Sequence, residues 1–345
     1  MQLRLTRPGP VVPVRADPLG RSGPTPGQAR GPRWRASSPG RFVPAAVCAS
    51  DTEQRIVEAV AGGVAGTAAT GWSALHWQGS RWFSGRRADG TPEPVLLAVG
   101  DSGNLAPRPG VRFCYDWLFD DDIIDVDGLP ITRPERSVCA EVLRVRTLAR
   151  AVGIIEVAAA DDLVDLDSLS AYALRIKGRP HTVRLFTALG LADENVWSPG
   201  ESEMKHIWRT LRGSALLCNP PLFDHQGRHL LTPDLLDPVA GVVGEYNGRV
   251  HDERVVRRRD LNRGELCRDL GLEVVEMIST DRRDIDSFER RLDAAYRRAA
   301  DRRKTARRRQ WTLEQPHWWV DTSTVVRRRA LSERDREVWL RRLSA

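Results

Sequence analysis

The stretch from Val239 to Gly244 is almost wholly apolar, and an acid, Glu245, follows it directly. A carboxylate at the end of a buried strand is costly unless it is paired or bound to a cation. This position therefore constrains both the fold around it and the chemistry it can do. A second acid, Asp234, precedes Glu245 by 11 residues, in another strand-like run. That spacing suits a tight antiparallel pair with both carboxylates at one end of a sheet.

The flanking sequence supplies the other elements. Ser198-Pro199-Gly200-Glu201 opens a helix to about Arg212, with Pro in the first turn. Strands are expected at Ala215–Cys218, His229–Leu236 and Gly241–Tyr246, with a hairpin turn at Asp224–Gly227. A basic helix, Glu253–Leu270, stops at Gly271, and a strand, Leu272–Ile278, and a helix, Ile285–Ala300, complete the unit. The order is helix, three strands, helix, strand, helix.

Metal-assisted phosphodiester hydrolysis uses a divalent cation to polarise the phosphate and to lower the pKa of an attacking water. Mg²⁺ favours hard carboxylate oxygens and keeps several waters. Asp234 and Glu245 are the candidate ligands, and Glu201 can supply a third carboxylate from the helix. His251, six residues past Glu245, can touch the phosphate or shuttle a proton. Arg258, Arg259 and Arg263, on the basic helix, can steady the phosphate.

Each residue also has a structural reading. Glu201 is the N3 residue of a Ser-x-x-Glu capping box. Asp234, after Pro233, can simply end a strand. Asn247-Gly248 is a common turn dipeptide. His225 and His229 flank a hairpin turn, where histidines are solvated, and Arg257–Arg259 can be a solvated helix face.

The rest of the chain is less specific. Residues 1–50 hold eight Arg against one Asp, and residues 301–345 hold thirteen Arg or Lys against six acids, so each end carries +7 and the middle carries −7. Basic ends can hold polyanions through phosphate contacts. Lysine occurs only at Lys177, Lys205 and Lys304, so the arginine excess is also a bias of the whole chain. Five widely spaced cysteines without a CxxC argue against a disulfide framework or a structural zinc site. No apolar run approaches the roughly 20 residues that span a bilayer, and no apolar segment follows the basic N-terminus, so a cytoplasmic protein without a membrane partner is expected. Residues 1–50, rich in Pro, Gly and Arg, are expected to be mostly disordered, with Trp34–Val47 the remnant of a winged helix-turn-helix. Helices are expected at Thr52–Gly63 and Thr67–Trp77, strands at Val95–Val99, Val111–Trp117 and Ile123–Val126, and a turn at Gly128-Leu129-Pro130, with further helices to Leu189.

The series Ser198-Pro-x-Glu201, Pro233-Asp234, Glu245-Tyr246-Asn247-Gly248 with His251, Asp260-x-x-Arg263 and Gly271-x-x-Val274 resembles a family of uncharacterised bacterial proteins. Their C-terminal domain is similar to the very-short-patch-repair endonucleases of the PD-(D/E)XK group. Gly128–Arg136 and Trp34–Val47 resemble the front of those proteins, which is similar to the AbiEi antitoxins, and Trp311–Thr324 resembles their ending.

The resemblance implies an α+β multi-domain chain. Its parts are a winged-helix remnant (1–50), an AbiEi-like α+β domain (51–190), a restriction-endonuclease-like core (191–300) and an Arg/Trp-rich tail (301–345). It implies Mg²⁺ as cofactor, held by Asp234 and Glu245 with help from Glu201, and His251 and Arg263 beside the phosphate. It implies DNA as partner, with a toxin or another protein as a second one. The group's third active-site position carries Lys, or Asp in this subfamily, where this chain has Asn247, an amide that is no base and adds no charge. Three readings follow: a metal-dependent DNA endonuclease, a degenerate nuclease fold that binds DNA or a partner without cutting, and an interaction protein whose tail tryptophans dock the chain.

Overall fold

The computed structural model describes residues 3–100, 105–248, 263–303 and 309–343. The chain is a mixed α+β protein with two compact units, one of residues 1–146 with 167–187 and one of residues 147–166 with 188–345. No helix among the described residues is long and apolar enough to cross a membrane.

The first unit begins with strands β1 (Val14–Arg15), β2 (Trp34–Ser38) and β3 (Arg41–Pro44), joined in the order β1-β3-β2. Residues 3–50, expected to be mostly disordered, are thus built into this unit. Leu3 and Val43 are buried, Arg7 lies 4.1 Å over the Trp77 ring, and Arg35 pairs with Glu58 at 2.5 Å. Gly9, Gly20 and Gly40, part of the Gly content that reads as disorder, stand here at positive φ, and Leu5 and Val12 pack against the core of the unit. Among the described residues of this segment there is no α-helix, so the expected winged-helix remnant is strand only.

Helix α1 (Thr52–Ala61) starts where expected, its N-cap Asp51 accepting the Gln54 N–H at 2.8 Å. The helix expected over Thr67–Trp77 divides in two. Ala68–Ala69 form strand β4, and α2 spans only Trp72–Trp77. Gly71 (φ 55°, ψ −137°) turns the chain between them, and a Cβ there would meet Glu141 Oε1 at 2.3 Å. A short run of small apolar residues fits a buried strand as well as a helix, and here the sheet decides. Strands β5 (Val95–Ala98), β6 (Val111–Cys114) and β7 (Ile123–Val126) match expectation, but Leu129–Thr132 is a further strand, β8, rather than a turn. Asp127 and Gly128, both at positive φ, make the β7–β8 hairpin connection instead. The sheet order is β6-β5-β4-β8-β7, with α3 (Pro134–Arg144) following. After α4 (Leu148–Ala160), which belongs to the second unit, come α5 (Leu166–Arg175) and α6 (Thr182–Leu191).

The second unit carries α7 (Pro199–Arg212), β9 (Leu217–Cys218), β10 (Leu222–Phe223), β11 (His229–Leu231), β12 (Leu235–Asp237) and β13 (Val242–Asn247). It continues with α8 (residues 263–269), β14 (Glu273–Ile278), α9 (Ile285–Arg303), α10 (Val325–Arg329) and α11 (Glu333–Leu343). The main sheet has the order β14-β13-β12-β9, with β13 parallel to β14 and antiparallel to β12. The single strand expected over His229–Leu236 breaks at Thr232-Pro233-Asp234. Pro233 has no N–H to give a ladder, so β11 pairs with β10 while β12 enters the main sheet.

Helix α7 crosses one face of this sheet. Met204 and Trp208 are fully buried with Leu235, Val242, Met277, Phe288 and Leu292. Gly244 permits the approach, since a Cβ there would meet Trp208 at 2.6 Å. On the other face Val243 packs with Leu222, Leu236, Leu272 and Trp311. Trp311 is 5% exposed, and Thr312 exchanges backbone hydrogen bonds with Phe223 at 2.8 and 3.0 Å. The residues expected as a separate tail are therefore part of this unit. Helices α4 and α7 are joined by a buried ion pair, Glu156 with Lys205, and the Lys205 ammonium also donates to the Leu191 carbonyl at 3.2 Å.

Candidate active site

The alternation of β13 sends its residues to two faces. Val242, Gly244 and Tyr246 face α7, whereas Val243 and Glu245 face away from it. Glu245 therefore emerges on the side of Arg263, the first described residue of α8. Arg263 meets it there, with Nε and Nη2 donating to Glu245 Oε1 at 3.1 and 2.8 Å. The same Nη2 donates to the Thr232 carbonyl at 2.7 Å, so the guanidinium is clamped between the break after β11 and the end of β13.

Asp234 stands at that break. Its Oδ2 accepts the Tyr246 backbone N–H at 2.6 Å, and its own carbonyl accepts the Asn219 N–H at 2.9 Å. The broken strand thus turns a residue that would have continued β11 into one whose carboxylate reaches across to β13.

Glu201 is the N3 residue of α7. Its N–H goes to the Ser198 hydroxyl at 3.2 Å, the first arm of the expected capping box. The return arm differs: Glu201 Oε2 accepts the Trp197 N–H at 2.9 Å and the Asn219 side-chain amide at 2.8 Å. Asn219 lies outside the series of sequence motifs. It is 2% exposed and holds φ 44°, and its Oδ1 is buried with no hydrogen-bond partner among the described residues. The Asn219-Pro220 dipeptide was the available cue, because Asn tolerates positive φ.

The three acids act on one another. Burial pushes the Glu201 carboxyl up to about 8, the charge of Asp234 adds to this, and the amides on Oε2 oppose it. Glu245 is also pushed up to about 8, by burial first and Asp234 second, with Arg263 opposing. Asp234 is raised by burial, against the Tyr246 N–H and Arg263. Asp234 is thus within electrostatic reach of both glutamates, one reaching it from the helix and one from the strand. Raised carboxylates close together hold a proton or accept a cation more readily than isolated ones.

Asn247 does not form the expected turn with Gly248. It is the last residue of β13, opposite Ile278, and its amide donates to Glu276 Oε1 at 3.0 Å. Glu276 is the register partner of Glu245 on β14. His251, Arg258 and Arg259 lie outside the described residues. His225 and His229, expected to be solvated, are exposed but engaged. His225 Nε2 lies 3.0 Å from the Arg309 carbonyl oxygen, and the His229 ring stacks on Trp319 at 4.9 Å.

Among the described residues, no three His, Cys, Asp or Glu side chains form a ready-made metal cage. Mg²⁺ does not require one, since it is held by one or two carboxylates with waters and substrate phosphates. The hydrogen bonds above engage Oδ2 of Asp234 and Oε1 of Glu245, leaving the second oxygen of each outside those bonds. This pair is of the right chemistry for a hard cation. Glu201, whose Oε2 carries two amide donors, is better placed to hold Asn219 and the start of α7.

A cleft of about 1290 Å³, bordered by Arg228, Arg268, Arg302 and Arg309, opens elsewhere. It lies beside Gly241 and Gly271, at the starts of β13 and β14, the opposite end of these strands from Glu245. Comparison with protein-family models, with curated proteins and with solved structures gives no significant match.

Proposed function

We propose that the second unit is a restriction-endonuclease-like core of the PD-(D/E)XK kind that acts on DNA phosphodiester bonds. The observation that carries this reading is the convergence of Glu201, Asp234 and Glu245, from three different elements, into one electrostatically linked, largely shielded group beside Arg263. Acids gathered in this way oppose folding, and a function that needs them is the simplest reason for their proximity. The element order, helix, strands, helix, strand, helix, supports the same reading.

In this reading Asp234 and Glu245 hold the cation, and Arg263 meets the phosphate. The Tyr246 N–H fixes the Asp234 carboxylate, and Glu201 fixes Asn219 and the helix start. What a divalent cation supplies when bound between the two acids is a polarised phosphate and an activated water. Asn247 is neither a base nor a charge at pH 7, so proton transfer falls to His251 or to solvent.

A second reading is a nuclease fold that binds DNA or a partner protein, such as a toxin, without cutting. The Asn247–Glu276 hydrogen bond favours it, because it commits the third active-site position to the neighbouring strand. Supercoiled plasmid incubated with the protein and Mg²⁺ or Mn²⁺ separates the two. Nicking that is lost with EDTA and with Asp234→Ala supports the enzyme. Salt-sensitive DNA binding without nicking supports the binder, and cleavage that survives Glu245→Ala rules out this site.

A further inference from the structure

We infer that Arg263 is a resident counter-ion of Glu245 that a divalent cation has to displace, so that the ion pair and cation binding compete for one carboxylate. The inference rests on the reading of Asp234 and Glu245 as a cation-holding pair.

Two features carry it. The first is the shape of the contact. Nε and Nη2 of Arg263 both converge on Oε1 of Glu245, at 3.1 and 2.8 Å, instead of taking one oxygen each. Nη2 is shared with the Thr232 carbonyl at 2.7 Å. That carbonyl belongs to the same break in the chain that places Asp234, so the guanidinium occupies the border between the two acids. The second is the charge balance. Of the charged groups acting on Glu245 among the described residues, Asp234 from the β11–β12 break and Glu201 from α7 are acids, and Arg263 from α8 is a cation. Glu276, from β14, adds a further acid in register with Glu245.

An arginine does not lose its proton in a protein, so it leaves the carboxylate only by moving. Movement is open to it. The Arg263 side chain is 36% exposed, and Glu245 is 23% exposed. A partly exposed ion pair is weak, whereas a divalent cation with two carboxylates gains from both. Once displaced, the guanidinium stays tethered at the site border and is free to take an oxyanion such as a substrate phosphate. Binding of the cation and pairing of Arg263 are then coupled with opposite sign, each weakening the other by the same factor.

The test is Mn²⁺ binding to the full-length chain without nucleic acid, followed by the electron paramagnetic resonance signal of free Mn²⁺ and by the thermal unfolding temperature. Arg263→Gln keeps a donor for the Thr232 carbonyl and removes the charge; it is expected to bind Mn²⁺ about tenfold more tightly than the natural chain. Arg263→Met is expected to shift affinity in the same direction, and Arg263→Lys, which keeps a charge, to stay within about twofold. Near-ultraviolet circular dichroism checks that each variant is folded. In a Glu245→Gln background the Arg263→Gln gain should vanish. Binding seen only after Arg263→Gln is the extreme of the same competition and supports it. If the natural chain binds Mn²⁺ and the neutral variants bind it equally or more weakly, Arg263 is a support for Glu245 and the inference falls while the cation reading stands. If none of these proteins binds Mn²⁺, the cation reading falls and takes the inference with it.

Discussion

A Cβ placed on Gly200 would lie 2.0 Å from Cε1 of Tyr246, so the first turn of α7 rests directly on that ring. The same tyrosine gives its backbone N–H to Asp234. The helix start that carries Glu201, the strand end that carries Glu245 and the break that carries Asp234 are therefore one packed arrangement. Gly200→Ala should cost about 1–3 kcal/mol through overpacking, read as a lower urea midpoint. Gly264→Ala, on a helix with open space at its Cβ, is the control and should be neutral or gain up to about 1 kcal/mol. Adding Tyr246→Ala to Gly200→Ala should recover part of the loss, since the ring is the obstacle. Additive losses would show that Gly200 is required for some other reason.

Stability should fall as pH rises through the acid cluster. Glu201 and Glu245 bind protons more tightly when folded, near 8, than in the unfolded chain, where 4.5 is the ordinary value. Between those limits the folded state holds more protons, so unfolding free energy decreases with pH, by at most about 1.4 kcal/mol per pH unit for each group. Below about 4.5 both states are protonated and this slope disappears. Unfolding midpoints from pH 5 to 8 check it. Glu245→Gln should flatten the slope and raise stability at pH 8, and a slope unchanged in both Glu245→Gln and Glu201→Gln would place the titration elsewhere.

Breaking the Glu156–Lys205 pair should be costly, and replacing it whole should not. Both side chains are at most 1% exposed, and Glu156 Oε1 also accepts the Asp193 N–H at 3.0 Å. Lys205→Met leaves a buried carboxylate without its counter-charge and should cost about 3–5 kcal/mol. Glu156→Leu with Lys205→Met should recover most of that loss. Chemical denaturation of the two single variants and the double variant gives the coupling. A coupling near zero would mean that solvent reaches the pair.

How much of this was legible in the sequence follows from how local each signal is. The helix start at Thr52, the opening at Ser198 and the strand that carries Glu245 are written in adjacent residues, and each appears where expected. The pairing of Asp234 with the β13 end was readable from spacing alone. What escaped depends on partners distant in sequence. Ala68–Ala69 is a strand because β5 and β8 flank it, and Leu129–Thr132 is one because two residues at positive φ reverse the chain before it. Asn219 reaches Glu201, and Arg263 reaches Glu245, across 18 residues each. Lys205, noted only as one of three lysines, owes its burial to Glu156 on another helix.

The C-terminal residues, which read in the sequence as a tail, fasten the second unit. Arg328 is fully buried. Its guanidinium donates to Asp162 Oδ1 at 2.7 Å and to the carbonyls of Ala159, Thr322 and Glu194 at 2.7, 3.0 and 3.1 Å. Ala159 is in the last turn of α4, where its carbonyl also accepts the Asp162 N–H at 2.9 Å, so Arg328 adds a second donor there and places a positive charge at the negative pole of the helix. Arg336 donates in turn to the Arg328 carbonyl at 2.9 Å, and Arg329 pairs with Asp165 at 2.9 Å. Arg328→Met should therefore cost about 3–5 kcal/mol, by removing the nearest counter-charge of Asp162 and the shared guanidinium donor of three carbonyls. Arg327→Ala, whose partners Asp321 and Ser323 are its own neighbours near the surface, should cost less than about 1 kcal/mol. Guanidinium denaturation of the two variants checks the contrast. Equal, small losses would return the segment to the status of an appended tail.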